Sequence, residues 1–377
     1  MKRIIAARKK KYPIGRNGIR LAVSAKRIME RDRNRINTLL IRFPNWVGDI
    51  VMSIPTLDCF RKNYPGAKII GIVKNRAQGI LRDGPWLDGF IDSDDKSWGG
   101  FWRMTVQIRQ CKADMAVLLP NSVRSLLGVR LGGVKDIYGY RRNFRGMFLS
   151  GGPKPECNGR AIVPIPMTEY YLGICRWLGL SIPEKVKPKL FIGEKVNKRA
   201  EALFQKHGIQ EDDIVIGLNP GASFGASKCW PAEYFAELAE LCEKELRAKI
   251  MLLAGPGEEQ IVEAILQKSR AKIINTQNDR VDLEMLKPVI RRCNLLITND
   301  TGPRHYAVAL DVPAVVIMGP TDPRYTAYNL DHTVVIRKEM DCSPCHKKTC
   351  PGEHQCMTEI TASEVFTAAR NLMKEHK

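Results

Sequence analysis

Short apolar runs alternate with helix-length amphipathic stretches from Asn37 to the end of the chain. NTLLIRF (37–43), AKIIGIV (67–73), ADMAVLL (113–119) and KDIYGY (135–140) have the length and apolar content of buried strands. Helix-like stretches lie between them, near 49–62, 76–82, 98–111 and 121–131. This alternation predicts a parallel sheet with helices on both faces. Residues 143–166, rich in Gly and Pro, predict a long irregular loop, and 167–180 predicts a helix. The plan then repeats. Strands are expected at 213–220, 248–255, 271–276, 295–300, 313–319 and 332–337. Helices are expected at 194–207, 232–246, 257–268, 282–291 and 303–310, with a last one at 362–377. The charged, Pro-containing stretch 181–195 reads as a linker. The expectation is two doubly wound α/β domains, 37–185 and 186–361, facing a cleft. The last helix belongs to the second domain or crosses back onto the first.

Ligands in such folds sit beyond the carboxyl ends of the strands, so the strand-to-helix corners hold the candidate chemistry. In LLITNDTGPRHYAVAL (295–310) the strand ends at Asn299-Asp300-Thr301-Gly302 and a helix follows through His305. The first N–H groups of that helix lack intrahelical partners and carry partial positive charge, which suits a phosphate. Asp300 or Thr301 as a plain N-cap is the simpler reading. LNPGASFGASKCWP brings Gly221, Ser223 and Lys228 to a second corner, where loop N–H groups and an ammonium can meet an anion. AGPGEEQ offers Glu258 and Glu259, either as acceptors for ribose hydroxyls or as favourable charge at a helix start. GPTDPRYT adds Thr321 and Asp322. In the first half, RFPNWVGDIVMSIP places Asp49 at the cleft mouth, as a general base or as an N-cap. Pro55 would kink the helix that follows or restrict its start. The three glycines of a dinucleotide fingerprint are missing here, and the chain has no Walker A loop.

Charge adds partners. The 377 residues carry a net charge of +20, so the partners are expected to be acidic: nucleic acid, an anionic membrane surface or phosphorylated small molecules. Much of the charge lies in residues 1–36, where only Glu30 and Asp32 oppose a dense run of Lys and Arg. This arm lacks the h-region of a secretory signal. It is either a basic amphipathic helix on a membrane surface (through Ile19, Leu21, Val23, Ile28 and Met29) or a disordered tail. No apolar run approaches the roughly 18 residues that span a bilayer. No helix-turn-helix or RNA-binding signature accompanies the charge, so nucleic acid is not expected as a partner. Of eleven cysteines, Cys342, Cys345, Cys350 and Cys356 cluster as C-x2-C-x4-C-x5-C, with His346 and His354 between them. The cluster is a candidate structural zinc site in a reducing compartment, or a thiol-rich loop.

Taken together, GD-x5-P, NPGA…K-x-WP, D-[ST]-G-x-x-H and GPTDP resemble glycosyltransferase family 9, the ADP-heptose:lipopolysaccharide heptosyltransferases. NPGASFGASKCWPAEYFAELA and DCSPCHKKTCPGEHQC look most like the heptosyltransferase II branch. The resemblance runs from about Asn37 to Lys377. It implies a GT-B fold, acceptor on the first domain and nucleotide sugar on the second. It implies inverting transfer of heptose from ADP-heptose to the Kdo–lipid A inner core of lipopolysaccharide, at the cytoplasmic face of the inner membrane. Asp49 then matches the family's base and Lys228 its phosphate-contacting lysine. Asp300, Thr301, Gly302 and His305 match the donor-binding segment, and one of Glu258 and Glu259 the ribose-binding glutamate. No DxD-type site is evident, so no metal cofactor is expected for catalysis. Arg124, Arg141 and Arg142, with Arg145, form a basic cluster that suits an acidic acceptor or is a solvated surface. Arg304 stands where an apolar residue is expected, either reaching the donor phosphates or lying on the helix face.

Overall fold

The computed structural model describes residues 35–376 apart from 95, 96, 160, 183 and 185. All but the last two residues of the basic arm lie outside the described residues.

The first half forms a five-stranded parallel sheet of order β3-β2-β1-β4-β5, made of β1 (Thr38–Arg42), β2 (Lys68–Val73), β3 (Gly89–Asp92), β4 (Met115–Leu118) and β5 (Asp136–Gly139). Its helices are α1 (Val47–Met52), α2 (Ile54–Asn63), α3 (Gln78–Leu81), α4 (Trp98–Gln110), α5 (Val123–Leu131) and α6 (Met167–Trp177). The stretch expected as one helix near 49–62 is broken at Ser53. Pro55 lacks an N–H and falls in the first turn of α2, where none is needed. Ser53 closes α1 instead, its N–H reaching the Asp49 carbonyl at 3.0 Å. Within 143–166 there is a short hairpin of β6 (Cys157–Asn158) and β7 (Ala161–Ile162).

The second half forms a six-stranded parallel sheet of order β10-β9-β8-β11-β12-β13. Its strands are β8 (Val215–Asn219), β9 (Lys249–Leu252), β10 (Ile273–Asn275), β11 (Leu295–Asn299), β12 (Ala314–Ile317) and β13 (Thr333–Ile336). The helices are α7 (Glu194–Lys206), α8 (Ala232–Leu246), α9 (Glu259–Lys268), α10 (Leu286–Arg292), α11 (Gly302–Leu310), α12 (Gln355–Thr358) and α13 (Ala362–Glu375). The last helix buries Val365, Phe366, Ala369 and Leu372 in the core of this second unit, against α8 and β12.

The two sheets are joined by apolar packing rather than by the linker alone. α11 is buried all round from Arg304 to Leu310, and Tyr306, Ala307 and Leu310 share one core with Ile50, Val51 and Ile54. At the joint, a Cβ on Gly48 would lie 2.6 Å from the His305 ring, and one on Gly302 would lie 2.8 Å from Val47. Two glycines therefore let the starts of α1 and α11 touch. On another side of the interface, buried Lys287 donates to the Arg82 carbonyl at 3.0 Å and pairs with Asp83 at 3.5 Å.

Candidate active site

Between the sheets lies a cleft of about 640 Å³. Asp49, Gly221, Ser223, Lys228, Glu258, Asp300, Thr301, Gly302 and His305 all line it, each from the carboxyl end of a strand or the helix start that follows.

On the first-domain side, Asp49 sits in the first turn of α1. The hydroxyl of Tyr171, on α6, donates to Asp49 Oδ1 at 3.0 Å. Burial raises the Asp49 carboxyl above its usual range, while the Tyr171 hydrogen bond and the Lys228 charge pull it back. The balance leaves the carboxyl a stronger base than a solvent-exposed aspartate. Replacing Tyr171 with Phe removes one of the two lowering effects. The acidic limb of the kcat/KM profile is therefore expected to move to higher pH, and an unmoved limb would show that Asp49 is not the group it reports.

On the second-domain side, Lys228 Nζ donates to the Asp300 backbone carbonyl and to Asp300 Oδ2, both at 2.8 Å. It also lies 5.1 Å from the centre of the Phe224 ring. Asp300 Oδ1 accepts from Arg304 at 2.7 Å and Oδ2 from Thr321 at 2.6 Å. Burial alone would raise the Asp300 carboxyl, but Arg304 and Lys228 hold it well below the carboxylate range. Arg304 thus occupies neither the cleft nor an exposed helix face. It is buried one helical turn beyond Asp300, with Thr326 as its other partner at 3.1 Å. His305 hydrogen-bonds Tyr328 through Nδ1 at 2.8 Å. Burial, reinforced by Arg304, lowers its pKa to about 3, so the ring is neutral.

The loop carrying Gly221, Ser223 and Lys228 is held from beneath. Asn299 donates to the Pro220 carbonyl at 2.6 Å and accepts from the Trp230 N–H at 3.2 Å. Asn219 Oδ1 accepts from both Thr298 and Thr301, at 3.0 and 3.1 Å. From the side, the Cys-rich loop straps it: Ser227 donates to the Lys347 and Lys348 carbonyls at 2.5 and 3.0 Å, and His354 meets the Ser227 carbonyl at 2.7 Å.

The two glutamates separate. Glu258 lines the cleft, accepts the Gly255 N–H at 2.7 Å, and is raised in pKa mainly by burial. A Cβ on Gly221 would fall 1.8 Å from its carboxyl carbon, so a larger residue there would push the Glu258 side chain aside. Glu259, expected here as an equal candidate, points away: it is exposed, and its carboxylate caps the Gly257 N–H at 3.0 Å. Beyond Glu258 the cleft wall is apolar, with Leu253, Val281, Leu283 and Leu286.

The basic cluster does not form one site. Arg145 is buried and donates to the carbonyls of Tyr140 and Pro120 and to Asn121, at 3.1, 2.6 and 3.2 Å, and burial lowers its pKa to about 10. It fixes the loop after β5 and is not available to an acceptor. Arg124 lies 5.6 Å from the Phe101 ring centre. Arg124, Arg141 and Arg142 lie outside the residues that line the cleft. Cys342, Cys345, Cys350 and Cys356 are free thiols, and the other three lie near enough to Cys356 to help raise its pKa after burial. Among the described residues, no three His, Cys, Asp or Glu are arranged to hold a metal ion, so the zinc expectation rests on the spacing of the cysteines alone.

Tyr171 and Arg76 reach the cleft or its base without any sequence signal, whereas Asn219 stands at the head of the NPGA motif. Tyr170 and Tyr171 are neighbours on one amphipathic helix, and only the packing of α6 decides which meets Asp49.

A carboxylate held by a tyrosine faces a glycine-containing loop and its lysine across the cleft between two parallel α/β sheets. The family profile described as glycosyltransferase family 9 (heptosyltransferase) matches residues 101–355, and the chain belongs to that family. It is similar to lipooligosaccharide heptosyltransferase 2 of Campylobacter jejuni, 26% identical over 89% of this chain and 98% of that one. It is also similar to lipopolysaccharide heptosyltransferase 2 of Salmonella typhimurium, 26% identical over 89% and 99%. Among solved structures, the family 9 glycosyl transferase of Veillonella parvula superimposes with a TM-score of 0.78 at 24% identity, over 90% of this chain and 97% of that one. The E. coli ADP-heptose LPS heptosyltransferase II gives 0.75 at 24% identity, over 90% and 99%. The fold is GT-B, as the family resemblance implied.

Proposed function

We propose that the protein moves heptose from ADP-heptose to the inner core of lipopolysaccharide, acting as a second-heptose transferase at the cytoplasmic face of the inner membrane. The observation that supports this most directly is the meeting of Asp49 with Lys228, Thr301 and Gly302 in one cleft. The adenine lies on the apolar wall of Leu253, Val281, Leu283 and Leu286, and the ribose hydroxyls donate to Glu258. The diphosphate takes the N–H groups of the Gly221–Ser223 loop and the start of α11, with Lys228 as counter-charge.

Asp49 accepts the proton of the acceptor hydroxyl as its oxygen bonds to the anomeric carbon. The bond from that carbon to the diphosphate breaks on the opposite face, and ADP leaves with the electron pair. The configuration inverts. Lys228 and the helix-start N–H groups stabilise the charge that develops on ADP. No step runs through a metal, and turnover in excess EDTA is the expected outcome.

Glu258→Gln is expected to raise the KM for ADP-heptose about tenfold or more, through loss of a charge-assisted hydrogen bond, with kcat little changed. Glu259→Gln serves as the control and is expected to leave both constants alone. The reading as a whole is tested by ADP release with Kdo–lipid A acceptors carrying one heptose or none. Turnover on the heptosylated acceptor alone is expected. Turnover only on the bare acceptor would make the enzyme a first-heptose transferase, and none on either would sink the assignment of donor and acceptor.

A further inference from the structure

The first domain leaves large apolar side chains in solvent, and they are not scattered. On α4, Trp98, Trp102 and Val106 recur every four residues along one exposed stripe, with Trp98 77% accessible. The same helix buries Phe101, Met104 and Ile108 against the sheet. On α5, Val123, Leu127 and Leu131 repeat the spacing and are also exposed, opposite buried Leu126 and Val129. The two helices lie side by side, so close that a Cβ on Gly128 of α5 would be 2.6 Å from the Met104 methyl. Beside α5 the turn after β5 adds Phe144, 96% accessible, with Met147 and Phe148. Arg130 of α5 ties that turn down, donating to the Phe148 carbonyl at 2.8 Å. The stripes and the turn lie on adjoining elements and expose more apolar side chains than a lone exposed residue can explain.

Its charge is as lopsided as its polarity. From Ser97 to Pro155 the chain has ten Lys and Arg against only Asp114 and Asp136. Arg109, Arg124 and Arg141 are exposed, on α4, on α5 and just after β5, as is Arg103, which pairs with Asp94 at 3.6 Å. Exposed tryptophans among apolar residues and arginines suit the boundary between headgroups and acyl chains. An acidic protein surface would complement the arginines but would not need the tryptophan and leucine stripes. Val123 and Phe144 follow the carboxyl ends of β4 and β5, the same end of the sheet at which Asp49 follows β1. The face therefore ends on the same side of the sheet as Asp49.

We propose that the outer face of α4, α5 and the 144–148 turn docks this chain on an anionic lipid bilayer, with Trp98, Trp102, Leu127 and Phe144 entering the headgroup layer. The proposal deepens the reading of a lipid-linked acceptor given above and gives the membrane contact to the folded first domain, in addition to any part played by residues 1–36.

The test uses the full-length chain and vesicles of phosphatidylcholine with one quarter phosphatidylglycerol. Wild type is expected to sediment with these vesicles more than with pure phosphatidylcholine, and its tryptophan emission to shift to the blue. Trp102→Ser/Leu127→Ser/Phe144→Ser is expected to lower partitioning by about tenfold or more. Turnover of a deacylated, water-soluble acceptor reports that the variant is folded and is expected to be unchanged. Equal partitioning of variant and wild type would overturn the proposal. So would binding that vanishes on deletion of residues 1–36 with the face intact. A wild-type dimer in lipid-free solution that the triple variant dissociates, with no vesicle binding by either, would make the face a protein interface instead. Vesicle binding lost in the variant, with neither acceptor turned over by wild type, would uphold the face and sink only the transfer reading.

Discussion

Asp49→Asn is expected to slow turnover by about 100- to 10,000-fold, the usual contribution of a positioned general base. The KM for the donor is expected to stay near wild type. Asparagine keeps the shape and leaves an oxygen for the Tyr171 hydroxyl, whose bond to Asp49 is 3.0 Å in the native protein. What it removes is the ability to take a proton. The fold should not suffer, because burial already disfavours the charged form of Asp49. A melting temperature equal to or above wild type, together with lost turnover, would separate chemistry from stability. Near-normal turnover would mean that another group removes the proton.

Lys228→Met is expected to cost about 100- to 1,000-fold in kcat, in the range seen when one preorganised charge is removed from a developing anion. The donor KM is expected to rise as well, since in the proposed function the ammonium is the counter-charge of the diphosphate. Unlike Asp49, Lys228 also matters to the fold. Its two 2.8 Å bonds to Asp300 help hold that buried carboxylate ionised, second to Arg304 in charge effect. A depressed carboxyl pKa stabilises the folded state above the unfolded value of about 3.9 and loses that contribution as pH falls through the folded value. The variant holds Asp300 less firmly. Its deficit in melting temperature against wild type is therefore expected to be full at pH 7 and to shrink below about pH 4. Lys228→Arg keeps the charge and is expected to recover stability more than turnover. A deficit independent of pH would remove Asp300 from the explanation.

The repeating strand–helix rhythm was readable because buried parallel strands are short, continuous apolar runs. All the expected strands of the second half are present, from β8 to β13. β3 was not anticipated: GFID offers only Phe90 and Ile91 as consecutive apolar residues between Gly and Asp. The corners of the cleft were legible for a related reason. Parallel strands all point their carboxyl ends the same way, so Asp49, Lys228, Glu258 and Asp300 converge whatever the loop details. Side-chain direction was not legible. Glu258 and Glu259 are adjacent, and only the start of α9 decides which faces Gly221. Arginines near one another in sequence likewise took different work: Arg145 is buried, Arg142 is half-buried and hydrogen-bonds Tyr170, and Arg141 is exposed.

The glycine contacts between α1 and α11 set a distance as well as a joint. Gly48 against His305 and Gly302 against Val47 bring the two helix starts together, since neither glycine interposes a side chain. Lys287, bound to Arg82 and Asp83, ties the same two halves at a second place. Asp49 follows Gly48 and Thr301 precedes Gly302, so the two are spaced by backbone packing and not by the reach of flexible side chains. A methyl group at either glycine is therefore a ruler with the wrong marks: it would push Asp49 away from Thr301 without touching either residue.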